Sequence, residues 1–289
     1  MNPDALFYQG LVGLTNAMYL WLVAAGLTIA FGVLKIINFA HGSLYMIGAY
    51  LAFSLYGQMG LGFGLSLLLA TVSVGLLGLA LERLLFRPLY NLDITYGLIL
   101  TFGLVLVSAD LVRIVWGGVF LIPPTPDALI GSFRVFGRAF SYYNTFVIVA
   151  GLAVGAGLWL LLDRTWWGRT VRATASDREM AGALGVNVGW VYASVFVLAA
   201  GVAALGGALS IPVRVVTPGL GTTLIIEAFI ITVIGGLGSL RGAFLGAIIV
   251  GLANAYGVLL FPDVALFLIY GIMALVLLVK PEGLLAGAR

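Results

Sequence analysis

Long apolar runs alternate with short polar breaks along this chain, and most of the runs are about as long as membrane-crossing helices. The first covers residues 11–31, with Asn16 as its only strongly polar member, enough for a hydrocarbon core that needs about 20 residues. Lys35 closes it, and a second apolar segment, 36–56, carries Asn38, His41 and Ser43 in its first third. A Gly-rich turn leads to 63–81, then come Glu82, Arg83, Arg87 and Pro88, and after them 94–112. The longest polar gap, 113–143, holds Pro123, Pro124, Pro126, Asp127, Arg134 and Arg138, and its prolines argue against a continuous helix. Further apolar runs follow at 144–162, 191–211, 220–240, 243–260 and 264–279. The run 220–240 contains Glu227, and its helix is expected to fray or break in the Gly-rich stretch 235–242. The pattern predicts an all-α fold, a polytopic transmembrane bundle of about 8–10 segments, some broken or re-entrant, in a single domain over 1–289.

Composition agrees. Hydrophobic residues make up 62% of the 289, charged residues 9%, and the mean hydropathy is +1.17, which excludes a soluble domain. The 40 glycines suit a crowded bundle, because small residues let membrane helices approach closely. A net charge of +3 would suggest nucleic acid in a soluble chain; here the basic residues gather beside apolar spans and report orientation instead. With the N-terminus outside and the C-terminus cytoplasmic, Lys35, Arg83, Arg87, Arg164, Arg169, Arg172, Arg178, Arg241, Lys280 and Arg289 lie inside, against Arg113, Arg134, Arg138 and Arg214 outside. That bias follows the positive-inside rule. The Met-Asn-Pro-Asp start lacks a basic n-region, and the run after it is too long for a signal core, so it reads as uncleaved. With no cysteine and one histidine, neither disulfides nor a metal site is expected.

The polar island 163–190 breaks the apolar pattern most sharply and holds four arginines, Arg164, Arg169, Arg172 and Arg178. Ser176 and Glu179 have the spacing of a capping box, and Gly185 is placed to end a helix. The predicted helix, 177–184, is too short to stand alone in water. Met180, Ala181 and Leu184 give it an apolar side for packing. Two readings remain open for it: a docking knob for a partner protein, or an amphipathic helix on the membrane surface with arginines towards lipid phosphates.

Inside the spans, Asn38 and His41 stand at i, i+3 on one predicted helical face. Polar groups in hydrocarbon need partners, so both should face the bundle interior or a cavity. Direct substrate contact and simple hydrogen bonding to neighbouring helices are both compatible with that. Glu227 either marks a functional position or snorkels to water from the outer end of its segment.

These motifs carry a resemblance. Glu179, Ala181 and Gly185 reproduce the Glu-x-Ala-x-x-x-Gly spacing of the loop by which ABC-importer permeases grip their ATPases, with Met180 where a second alanine is usual. The stretch 172–209 is similar to the corresponding region of the LivH/LivM-type branched-chain amino acid permeases. So is 26–50, with Phe31-Gly32 and Asn38-Phe39-Ala40-His41-Gly42, although Ser43 stands where many relatives carry an acid. Gly235-Gly236-Leu237-Gly238-Ser239 resembles the family's Gly-Gly-x-Gly-Ser segment, with Arg241 where a proline is common, and the Pro281-x-Gly283-Leu284 tail fits as well.

The resemblance implies a LivH-like permease subunit of an ABC importer for branched-chain or other small hydrophobic amino acids, in a bacterial or archaeal cell membrane. Implied partners are a second, LivM-like permease, two ATP-binding cassette ATPases and an extracytoplasmic solute-binding protein, with membrane lipid around them and no nucleic acid. Ser176, Glu179, Met180, Ala181, Leu184 and Gly185 would couple to the ATPase; Asn38, His41, Ser43 and Glu227 would line the path. No Walker A sequence occurs, so the chain is not expected to be an enzyme or to hold a cofactor, and ATP hydrolysis falls to separate subunits. Alternatives are an ABC permease for urea or short amides, or a self-sufficient secondary transporter, in which the Gly-interrupted segments around His41 and Gly236 would be paired broken helices.

Overall fold

A helix of 32 residues, α1 (Pro3–Leu34), forms the axis of the molecule. The structure is a computed structural model that describes residues 3–90 and 92–285, the side chain of Leu266 excepted. Of the most apolar window of α1, 89% is buried, against 11% for α4 (Ile94–Trp116). The first helix is therefore wrapped by the others, and α4 leaves most of its surface outward. Around α1 pack α2 (His41–Ala52), α5 (Tyr142–Arg164), α8 (Val188–Ser210), α9 (Leu220–Gly235) and α10 (Leu240–Leu260). On the periphery lie α3 (Phe63–Leu81), α4 and α11 (Ala265–Val279), and α6 (Trp166–Ser176) and α7 (Arg178–Ala183) form a small unit at one end. Six helices are long and apolar enough to cross a membrane. Two shorter apolar helices, α9 and the greater part of α11, bring the count to eight among the described residues, within the expected range.

Small side chains set the close contacts. A Cβ on Gly251 of α10 would lie 2.6 Å from both the Ala17 Cβ and the Gly13 O of α1. A larger residue there would force the two helices apart. A Cβ on Gly221 would meet the Gly42 carbonyl oxygen at 2.8 Å, so α2 and α9 also cross backbone to backbone. In a membrane, where lipid is as apolar as leucine, such packing holds helices together.

The second segment departs from expectation. Lys35 adopts a left-handed backbone (φ 57°), which ends α1 at Leu34, and residues 35–40 return non-helically before α2 begins at His41. Asn38 is therefore outside the helix, and the expected shared face with His41 does not exist. Instead the Asn38 carbonyl accepts from the His41 N–H at 3.2 Å. Phe39 fills the space beside this link, stacked between Phe102 of α4 and Phe229 of α9 at centroid distances of 4.6 and 5.0 Å. At its far end α2 widens into a π turn, Phe53–Gln58.

The gap 113–143 folds as a small antiparallel hairpin, β1 (Ser132–Val135) with β2 (Arg138–Ser141). It is the single two-stranded sheet among the described residues. Upstream of it, Leu121 pairs with Val216 through two backbone hydrogen bonds of 3.2 and 3.0 Å, laying the proline-rich segment across the break between α8 and α9. At the opposite end α9 stops at Gly235, and Gly236 (φ 101°) and Gly238 (φ 87°) make the turn into α10. The expected break is thus an ordinary glycine turn.

Candidate coupling surface and solute path

The α6–α7 unit is held by end caps and by side-chain hydrogen bonds to its neighbours. Thr165 caps α6 by accepting from the Gly168 N–H at 3.0 Å, and the Trp167 indole donates to Ser194 of α8 at 2.9 Å. Arg172 turns back to the Leu162 carbonyl and to Asp163. Asp177, with φ −150°, breaks the helix and caps α7 by accepting from Glu179 N–H (3.0 Å) and Met180 N–H (2.9 Å). The capping-box expectation is corrected here: Ser176 is the last residue of α6, and Asp177, whose carboxylate is the stronger acceptor, takes the cap position. At the other end Gly185 (φ 87°) makes a Schellman closure, with Val186 N–H to Ala181 O and Gly185 N–H to Gly182 O, both 3.0 Å.

The three apolar residues of the predicted knob divide. Ala181 is 4% exposed and faces the chain itself, whereas Met180 and Leu184 are 58% and 77% exposed. Glu179 lies on the exposed side too. Arg178, at the start of α7, donates to the Tyr90 carbonyl at 3.3 Å, fastening the unit to the α3–α4 link. In that link the Asp93 carboxylate caps α4 through Thr95, and those hydrogen bonds hold it below the usual carboxylate range. The Tyr90 phenol is pushed above its ordinary range by burial first and then by its 2.7 Å hydrogen bond to Glu82. Glu82 itself is fully buried and leaves its second carboxylate oxygen unpartnered. The sequence pattern gave no hint of that, since Glu82 stands in a run of charges that reads as a solvated helix end.

At the same end, Asp163 accepts from Arg172 of α6 (3.4 Å) and from Arg241 of α10 (3.2 Å). The fork connects α5, the α6–α7 unit and the glycine turn. It borders a cavity of about 640 Å³ lined by Thr28, Gly32, Lys35, Trp159 and Ser239 among others.

Of the expected path residues, Asn38, His41 and Ser43 are buried and Glu227 is partly exposed. His41 is 1% exposed, with Nε2 at 3.2 Å from the Val23 carbonyl of α1. A hydrogen bond there requires the proton on Nε2. A Cβ on Gly26 would stand 2.8 Å from that nitrogen, so the ring occupies the space that glycine leaves. Asn38 and Ser43 are each 3% exposed, and the Asn38 amide oxygen has no partner. Glu227, on α9, lies within electrostatic reach of Arg214 and Tyr45. Tyr19, Tyr45 and Arg214 escaped the sequence reading because only the fold brings them together. Among the described residues no cluster of His, Asp and Glu could hold a metal ion.

Comparison with known proteins is decisive at this point. The model of the branched-chain amino acid transport system / permease component family matches residues 11–277. The chain belongs to that family. The permease is 35% identical to the high-affinity branched-chain amino acid transport system permease protein BraD of Pseudomonas aeruginosa, over 98% of this chain and 97% of that protein. It is 31% identical to LivH of Escherichia coli, over 99% and 97%. The corresponding permease protein LivM of Salmonella typhimurium is 26% identical, over 95% of this chain and 69% of that protein. The permease also shares its fold with a chain of PsaBC from Streptococcus pneumoniae, solved in complex with Fab, at a TM-score of 0.51 and 13% identity, covering 94% of this chain and 91% of that one. It is a multi-pass membrane protein and a transport component, not an enzyme.

Proposed function

We propose that the chain is the LivH-like permease subunit of an ABC importer for branched-chain or other small hydrophobic amino acids, with α6–α7 as its docking element for the ATPase. The observation that carries the reading is the α7 unit of a family permease, capped at both ends and presenting Met180 and Leu184 outward. Large apolar side chains on a polar end of a membrane protein suit a protein partner, since interface energy concentrates in a few such anchors. In this reading α7 sits in the cytoplasm, the N-terminus outside and the C-terminus inside. A second, LivM-like permease completes the path, two ATPases supply energy, and an extracytoplasmic binding protein delivers the solute. Similarity to both LivH and LivM supports the paired arrangement. The test is reconstitution in liposomes with these partners: leucine uptake should require ATP and the ATPases. Uptake of equal rate without the ATPases would identify a self-sufficient carrier instead.

A further inference from the structure

Within the hairpin-end half of the bundle, four polar side chains from separate elements come within electrostatic reach of one another. Tyr19 stands midway along α1, Tyr45 on α2, Arg214 in the break between α8 and α9, and Glu227 on α9. The Arg214 guanidinium lies 5.5 Å from the Tyr19 ring centroid, and Arg214, Glu227 and Tyr45 are within electrostatic reach of one another. Tyr19 and Tyr45 are 2% and 0% exposed, yet neither hydroxyl has a hydrogen-bond partner among the described residues. Nearby Tyr143 differs, donating to the Leu209 carbonyl at 2.6 Å. Ser210 donates to the Gly207 carbonyl at 2.8 Å, and its oxygen, near Tyr45, falls short of a well-formed hydrogen bond to that phenol. Buried hydroxyls are nearly always paired, so two adjacent exceptions next to two charges point to a missing partner.

The charges are unpaired as well. Arg214 and Glu227 are each partly exposed, and neither closes an ion pair among the described residues. On α9, Glu227 borders an outward stripe of Thr222, Thr223 and Ile226. Charges at membrane depth are costly towards lipid and face a bundle interior or a water-filled cavity. We infer that this cluster is a way-station for a zwitterionic α-amino acid, with Arg214 taking the carboxylate, Glu227 the ammonium, and the Tyr19 and Tyr45 hydroxyls completing the polar shell. Opposite charges that close no ion pair with each other can each take one end of such a solute, and the hydroxyls can donate to its carboxylate. The Leu121–Val216 pairing lies across the segment that carries Arg214 and holds it in place. The inference rests on the importer reading above and adds the residues that recognise the solute.

The test uses the full assembly in liposomes with leucine as the probe. Arg214→Gln and Glu227→Gln should each lower uptake by at least about tenfold, and Arg214→Lys should restore part of it. Tyr45→Phe removes a hydroxyl that makes no well-formed hydrogen bond in the chain, so it should leave thermal stability and co-purification with the partners close to wild type while uptake falls. That separates recognition from folding even if Arg214→Gln fails to assemble. Wild-type uptake in Tyr45→Phe, or in both charge-removing variants, would overturn the inference while leaving the importer reading standing. An intact wild-type assembly that takes up no leucine would count against the substrate assigned to the importer, a different result.

Discussion

His41 illustrates how far a residue can be read before the fold is known. Its burial and its need for a partner were legible, since a lone imidazole in an apolar run must find one; that the partner is the Val23 carbonyl was not. The shared face with Asn38 failed because Lys35 takes a left-handed backbone, a conformation no propensity assigns to lysine. With its ring against the Val23 carbonyl, His41→Leu should cost about 1 kcal/mol through the lost hydrogen bond, seen as a lower melting temperature in detergent. Loss of uptake at unchanged melting temperature would assign His41 to the solute path. Gly26→Ala is the complementary change. Its methyl would press on His41 and on the Ala199 carbonyl, 2.6 Å away, and should destabilise by about 1–3 kcal/mol as overpacking does.

Among the elements, apolar run lengths located the membrane helices well, because burial in lipid leaves a continuous signal. The α6–α7 unit was half legible. Gly185 and the position of a short helix followed from the sequence, but the Ser176 cap did not hold, because the backbone breaks at Asp177 and gives that residue the cap position. The consequence is measurable: Asp177→Ala should weaken α7 by about 1 kcal/mol and lower ATPase co-purification, whereas Ser176→Ala should change little. Burial also changes which substitution probes docking. A bulky charge at Ala181 would disrupt the permease's own packing, since that side chain is 4% exposed. Met180→Glu and Leu184→Glu alter exposed positions instead.

In the whole molecule, the family and the bundle were legible from motifs spread over most of the chain, while contacts between distant segments were not. The Asp163 fork is such a contact, uniting α5, α6 and α10 through Arg172 and Arg241. Being partly exposed, its ion pairs should add little stability, up to about 1 kcal/mol, so Asp163→Asn should melt close to wild type. If the fork carries motion from the docking unit to the glycine turn, that variant should still bind the ATPases yet hydrolyse ATP with less uptake per turnover. The central claim, that this permease is driven through α7, is tested most directly by ATP-dependent leucine uptake in liposomes, comparing wild type with Met180→Glu/Leu184→Glu. The account predicts that the double variant inserts and melts like wild type but loses both ATPase association and uptake; wild-type uptake by that variant would contradict it.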